Sequence, residues 1–186
     1  MTALELQNHL YSFIQPQLKE ITIKVEINKE EESEIKHRIY FTDHSFLNLY
    51  PKQRYHKLIH LIPDEFYHEH LEKTYWFELA PGEESQDLNY HDDETIAEIK
   101  EPILSILRYK VNFVSLLDKE FTNNNTVCKG DFALSKEILN QLGFSEEDQF
   151  DIFHVLMNEG GYCDCEILYN VFKESNYAQA YWATRT

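Results

Sequence analysis

Apolar and polar residues alternate strictly in Ile21-Thr-Ile-Lys-Val-Glu-Ile27, and this period of two predicts a β-strand with one buried face. Before this strand, apolar residues recur with the spacing of one helix face, at Leu6, Leu10, Phe13 and Ile14. Pro16 is expected to end that helix because its ring clashes with a helix interior. After the strand, Ile35-Lys-His-Arg-Ile-Tyr-Phe41 predicts a second strand, which pairs with the first as a hairpin.

The chain then returns to helical spacing. Pro51 suits the first turn of a helix, where a missing N–H costs nothing, and the apolar positions that follow are Tyr55, Leu58, Ile59 and Ile62. Pro63 ends that helix, and Asp64 is expected to cap a short second one. Thr74-Tyr-Trp-Phe-Glu-Leu79 is rich in aromatic residues and predicts a third strand. The predicted order αββααβ makes residues 1–90 an α+β domain.

The rest of the chain is expected to be mostly helical. Asp92 or Asp93 is predicted to cap a long helix over residues 94–121, which Pro102 kinks, so that residues 91–122 bridge two domains. The run Asn123-Asn-Asn125 indicates a linker. Residues 123–186 are then predicted to form a helical domain of three short segments, whose caps are Asp131, Ser145 and Asp164.

Short motifs of the first domain resemble a known family. Phe41-Thr-Asp43 ends a strand and is followed by Phe46. Gln53-Arg-Tyr-His56 begins a helix, and Glu78-Leu-Ala-Pro-Gly-Glu83 ends the last strand. These motifs and the order αββααβ, over about residues 4–84, resemble the BolA family. The resemblance implies a KH-like type II fold for this domain.

The BolA resemblance also implies a partner and a cofactor. Proteins of that family pair with monothiol glutaredoxins and share an iron–sulfur cluster through a histidine before the last strand. His68 and His70 lie in that part of this sequence, but alignment on Pro81 puts Glu72 at the ligand position. RNA binding is not expected, because KH domains clamp phosphates with a Gly-x-x-Gly loop and this chain has no glycine before Gly82.

Charge and composition exclude several classes of function. The sequence has 17 Lys and Arg against 33 Asp and Glu, a net charge of −16. Nucleic-acid affinity depends on Lys and Arg that neutralise phosphates, so no nucleic acid is expected as a partner. The expected partner is another protein with a basic surface. No apolar run approaches the ~18 residues of a membrane span, so no membrane association is expected either.

The cysteines indicate the cellular compartment. Three cysteines are an odd and small number, which excludes a framework of disulfides. A reducing compartment is therefore the default, and we expect a cytoplasmic protein.

The most distinctive stretch is Gly160-Gly-Tyr-Cys-Asp-Cys-Glu166. Two cysteines two positions apart suit a turn that enters a helix, where free N–H groups favour the thiolates of Cys163 and Cys165. Cys128 is the candidate for a third ligand of a zinc or iron ion. Candidates for a fourth ligand are Asp131, Asp164 and His154. The alternatives that stay open are buried structural thiols and redox-active thiols.

This stretch resembles a small bacterial domain family of unknown function, whose members carry Gly-Gly-Tyr-Cys-Asp-Cys-Glu near the carboxyl terminus. That family also has an upstream cysteine followed closely by acidic or histidine residues. Cys128-Lys-Gly-Asp131 stands in a similar place in this chain. The resemblance covers about residues 125–173 and implies no particular activity.

Catalytic motifs are missing from the sequence. It has no nucleophile elbow, P-loop, dinucleotide-binding loop or zinc-protease motif, so no enzymatic activity is expected. His56 and His60, one helical turn apart, would face a metal ion or form a polar helix flank. The leading hypothesis is a non-catalytic protein–protein interaction or regulatory module. The alternative is a metal-binding or redox-responsive module that uses Cys128, Cys163 and Cys165.

Overall fold

A computed structural model of the chain describes residues 1–29, 34–85, 91–123 and 126–185. Internal contacts divide the chain into two units, Met1–Asn89 and Tyr90–Thr186. Two residues of the predicted linker, Asn124 and Asn125, lie outside the described residues. Within the described ranges, no helix has both the length and the apolar character needed to cross a bilayer.

The first unit contains the predicted order of elements, with one turn of 3-10 helix added. Its third strand has the predicted bounds, whereas the second begins two residues later than predicted. The prediction that Asp64 caps a helix is wrong, because Pro63 holds the cap position and Asp64 is the first helical residue. The elements are α1 (Ala3–Ile14), β1 (Thr22–Ile27), β2 (His37–Thr42), the 3-10 turn (His44–Phe46), α2 (Pro51–Ile59), α3 (Asp64–His70) and β3 (Thr74–Leu79).

The strands form one mixed sheet in the order β1-β2-β3. β1 pairs antiparallel with β2, with Thr22 opposite Thr42, which confirms the predicted hairpin. β2 pairs parallel with β3, with His37 opposite Thr74. A parallel pair needs a crossover connection, and α2 and α3 provide it.

Helix α1 covers the sheet and also closes one of its edges. The N–H of Ile23 donates to the Tyr11 hydroxyl at 2.9 Å, and the N–H of Val25 donates to Oε1 of Gln7 at 3.3 Å. An uncovered strand edge can pair with another chain, so these side chains shield β1. The core beneath is built from Leu6, Leu10, Ile14, Ile21, Ile23, Ile39, Phe41, Phe46, Leu58, Ile62, Leu71 and Ala80.

Arg54 is a buried cation that ties α2 to the end of β3. Its Nε donates to the carbonyl of Leu49 and its Nη1 to the carbonyl of Glu78, each at 2.8 Å. Its guanidinium also forms an ion pair with Glu83. The hydrogen bond from Arg54 lowers the pKa of Glu83, and a bond from the N–H of Ala80 to that carboxylate adds to the effect. Arg54 therefore serves the fold of this unit.

The second unit is helical, as predicted: every element described in it is a helix or a helical turn. Ser145 begins one helix with the predicted capping box, since its hydroxyl accepts from the N–H of Asp148 and the Asp148 carboxylate accepts from the N–H of Ser145. The elements are α4 (Asp93–Tyr109), α5 (Phe113–Asn123), α6 (Ala133–Gln141), α7 (Glu146–Asn158), the turn α8 (Asp164–Glu166), a π-helical segment (Ile167–Val171) and α9 (Asn176–Ala183).

The single helix predicted over residues 94–121 is wrong. The structure has two helices there, because α4 ends at Tyr109 and α5 begins at Phe113. Between them Asn112 has a φ of 56°, the left-handed conformation that stops a helix and that asparagine tolerates better than most residues. Pro102 lies inside α4, and the helix continues past it. Both helices belong to the second unit.

Candidate metal centre

The segment before α6 positions the first cysteine. Cys128 lies outside regular structure, two residues before Gly130. Gly130 has a φ of +77°, a conformation that residues with a side chain rarely adopt. This turn directs the N–H of Gly130 to the Cys128 sulfur, as a hydrogen bond that helps to lower the pKa of the thiol. The side chain of Cys128 is half-buried.

The Cys-x-Cys motif forms the entry to a helical turn, as predicted from its spacing. Helix α7 stops at Asn158, and Gly160 follows with a φ of +87°. Cys163 has extended backbone at the cap position of α8, and Cys165 lies within that turn. Both side chains are buried, with exposed fractions of 7% and 9%.

The structure brings the three predicted cysteines together. The sulfur of Cys163 lies 3.4 Å from the sulfur of Cys128 and 3.4 Å from that of Cys165. All three sulfur atoms lie within 4.8 Å of one another, and all three cysteines are free thiols. Residues separated by 35 positions in the chain thus supply donors to one point.

Electrostatics in the sulfur cluster favour a single thiolate that forms hydrogen bonds with the other two cysteines. Hydrogen bonds with Cys163 and Cys165 lower the pKa of Cys128, and backbone N–H groups add to this effect. The same contact with Cys128 raises the pKa of the thiols of Cys163 and Cys165. When a soft cation binds the three sulfurs as thiolates, it displaces the protons that the thiols carry.

Asp131 lies near the cysteines in sequence, but its carboxylate is not part of the sulfur cluster. Its Oδ1 accepts from the N–H of Ala133 at 3.1 Å, which places it at the start of α6. Its carbonyl oxygen accepts from the N–H of Asp164 at 2.9 Å. This backbone bond joins the segment that carries Cys128 to the segment that carries Cys163.

Asp164 caps a different helix from the one predicted. Its carboxylate accepts from the N–H of Leu134 at 3.0 Å and from the N–H and the hydroxyl of Ser135 at 2.9 and 2.5 Å. It therefore caps α6 from across the unit, and burial raises its pKa. The sequence predicted Asp131 as the cap of α6 and Asp164 as the cap of the segment that follows it. The bonds from Asp164 to α6 have no local signal, because the partners are 29 and 30 residues apart.

His154, the remaining candidate for a fourth ligand, lies away from the cysteines. It is fully buried in α7, and its Nδ1 donates to the carbonyl of Phe150 at 2.8 Å. Its ring packs against the rings of Phe150 and His91, at centroid distances of 4.1 and 5.1 Å. Within the part of the chain that the structure describes, no His, Asp or Glu joins the three sulfurs at 4.8 Å or less.

Tyr169 is a neighbour of the cluster that was not predicted from the sequence. Its hydroxyl is hydrogen-bonded to the Cys165 sulfur, and burial raises the pKa of that hydroxyl. Its ring stacks on Tyr181 of α9 at 4.4 Å between centroids. Its carbonyl accepts from Nε1 of Trp182 at 3.1 Å. The spacing of four residues from Cys165, one helical turn, is the signal that identifies it.

The candidate histidines of the first unit form no site with three donors among the described residues. Nε2 of His56 lies 2.9 Å from Nε2 of His60, and burial, followed by the charge of His60, lowers the pKa of His56 to about 4. His68 pairs with Glu72 at 2.6 Å on the exposed surface of α3. His70 lies on the same helix and contacts a neighbouring carboxylate. These contacts are those of a polar helix surface.

Comparison with protein families agrees with the part of the chain that carries the cysteines. Residues 113–170 match the model of a family described as "Protein of unknown function (DUF2695)". This segment contains all three cysteines and spans less than half of the 186 residues. The match confirms that the carboxyl-terminal part resembles a family of unknown function. The BolA and KH resemblance of residues 4–84 gains no support, and neither a curated protein nor a solved structure matches the chain significantly.

Proposed function

We propose that the second unit is a non-catalytic module that binds one thiophilic metal ion through Cys128, Cys163 and Cys165. The observation that carries this proposal is the convergence of the three sulfur atoms within 4.8 Å of one another. A tetrahedral zinc ion with bonds of ~2.3 Å separates its sulfur ligands by about 3.8 Å. The two sulfur contacts of 3.4 Å are already close to that spacing.

Zinc is the first choice of ion, and iron is the second. Both take tetrahedral thiolate ligands, whereas magnesium and calcium need oxygen donors that this cluster lacks. The N–H of Gly130 and the hydroxyl of Tyr169 would remain as hydrogen-bond donors to bound thiolates and fix their orientation. Water or a donor from a partner would complete the coordination, because the carboxylates of Asp131 and Asp164 are engaged at the start of α6.

We infer a reducing, cytoplasmic setting, since only reduced cysteines can serve as ligands. For the first unit we propose a KH-like, BolA-like fold. Its support is the order αββααβ together with the antiparallel β1–β2 and parallel β2–β3 pairing. We also propose that the two units are separate functional domains.

The test of the metal proposal is elemental analysis of natively purified protein without a histidine tag, beside a count of free thiols. About one zinc or iron ion per chain is expected in the wild type. Cys128→Ser and Cys163→Ser should each lose the metal while circular dichroism shows that the helices remain. Wild-type protein without metal, even after incubation with zinc under reducing conditions, would refute the proposal.

The matched control is the double variant His56→Ala/His60→Ala. This histidine pair places two possible metal donors close together away from the cysteines, with nitrogen atoms 2.9 Å apart. Metal content should not change in this variant. If the metal follows the histidines and not the cysteines, the assignment to the sulfur cluster is wrong.

A second candidate function is binding of another protein with a basic surface. It is favoured by the net charge of −16 and by exposed aromatic side chains, with Tyr75 and Trp182 each 44% exposed. A pull-down with wild type and with Cys163→Ser/Cys165→Ser separates the two functions. A partner retained by both proteins supports interaction independent of metal, and a partner lost with the cysteines assigns binding to the metal site.

A further inference from the structure

We propose that Cys128 is an oxidation site at which hydrogen peroxide forms a sulfenic acid, and that Cys163 resolves it into a Cys128–Cys163 disulfide. The cross-link removes two of the three thiolates at once. Loss of a bound metal would follow, and this consequence rests on the proposed function. Formation of the disulfide itself does not depend on metal.

Geometry selects the pair. Cys163 is the common neighbour, since its sulfur lies 3.4 Å from each of the other two, whereas the sulfurs of Cys128 and Cys165 are placed within 4.8 Å of each other. A bond between Cys163 and Cys165 would close a ring across one residue and strain the helical turn that holds Cys165. Cys128 and Cys163 lie on separate segments that are already joined by the backbone bond from Asp164 to Asp131.

Access selects the thiol that reacts first. Cys128 is half-buried, whereas Cys163 and Cys165 are 7% and 9% exposed. Cys128 also lines a cavity of about 70 Å³, whose wall includes the first residues of α6 and Asp164. A cavity needs roughly 10–15 Å³ of such space to hold one water molecule, so a molecule as small as hydrogen peroxide has room beside Cys128.

The chemistry balances in two steps. The Cys128 sulfur attacks one peroxide oxygen, the O–O bond breaks, and the leaving hydroxide takes the thiol proton as water. The Cys163 sulfur then attacks the sulfenic sulfur, the S–O bond breaks, and the hydroxyl leaves as water with the Cys163 proton. Two thiols are oxidised by two electrons in total, and one peroxide is reduced to two water molecules.

The experiment uses full-length, metal-free protein treated with hydrogen peroxide, after which free thiols are alkylated and disulfides are mapped by mass spectrometry. The cross-link should join Cys128 to Cys163 in the wild type and in Cys165→Ser. It should be absent from Cys128→Ser and from Cys163→Ser. A cross-link from Cys165 to either other cysteine, or oxidation to sulfinic acid without a cross-link, would overturn the proposal.

Trapping with dimedone during the first seconds of oxidation identifies the attacked thiol. Cys128 should carry the dimedone label in Cys163→Ser. If this variant does not fold, an early label on Cys128 in the wild type provides the same evidence. A first label on Cys163 or Cys165 would contradict the assignment.

A parallel reaction with zinc-loaded protein and a zinc indicator separates this proposal from the proposed function. If the protein binds no zinc but still forms the disulfide, the metal site is refuted and the oxidation site stands. If the protein binds zinc but forms no disulfide after peroxide treatment, the oxidation site is refuted and the metal site stands.

Discussion

Asp164→Ala should destabilise the second unit far more than an ordinary cap mutation. The buried Asp164 carboxylate accepts from the N–H of Leu134 and from the N–H and hydroxyl of Ser135. The alanine variant leaves these donors without their acceptor at the start of α6. The matched control is Asp148→Ala, which removes a carboxylate from an exposed capping box on α7.

The expected magnitude follows from the buried N–H and hydroxyl of Ser135 and the partly buried N–H of Leu134. Each buried donor that loses its partner costs about 1–3 kcal/mol, and partial hydration lowers the total. We therefore expect Asp164→Ala to reduce the free energy of unfolding by about 3 kcal/mol. The effect of the exposed Asp148→Ala should be much smaller, since water replaces the lost contact there.

The assay is urea unfolding of the reduced, metal-free proteins by circular dichroism, combined with hydrogen exchange measured by mass spectrometry. Exchange should increase most in the peptide that spans Ala133–Gln141. Equal losses for Asp164→Ala and Asp148→Ala, or unchanged exchange in α6, would refute the argument that Asp164 holds this helix.

Two further predictions concern packing and pH. A Cβ on Gly161 would lie 3.0 Å from Val171 Cγ2 and 3.2 Å from the Cα of Ile167. Gly161→Ala should therefore cost about 1–3 kcal/mol by overpacking in urea unfolding, and an unchanged midpoint would contradict this. Since Arg54 lowers the pKa of Glu83 below its ordinary 4.5, the stability difference between wild type and Glu83→Gln should be full above that value. It should disappear as pH falls through the folded pKa, and a difference that does not change with pH would contradict the pairing.

The local elements of the first unit could be predicted from sequence because each carries its own signal. The alternation in Ile21–Ile27 predicts a strand, and Thr74–Leu79 has the bounds of the observed third strand. Pro51 begins α2, and the Ser145 capping box begins α7. These signals depend on residues within a few positions of one another, so no knowledge of the tertiary structure is needed to find them.

The candidate site could be predicted in part. The motif at Cys163 and Cys165 indicated a turn into a helix, and Cys128 was a candidate by residue type and by the family resemblance. The convergence of their sulfur atoms depends on the packing of a segment 35 residues away in sequence. The exclusion of the Asp131 carboxylate has no local signal, whereas the spacing of one helical turn from Cys165 could have identified Tyr169.

Sequence alone determined the αββααβ order, the helical second part and the cysteine motif, because hydrophobic period, proline and capping residues act over one or two turns of chain. Tertiary structure decided which distant groups meet. The predicted long helix ends before Asn112, which has a left-handed backbone. The apolar spacing of the sequence continues across this residue, so the spacing does not reveal the break. Asp164, predicted as a local cap, instead caps α6. A buried carboxylate needs hydrogen-bond donors, and tertiary packing decides which donors lie near it.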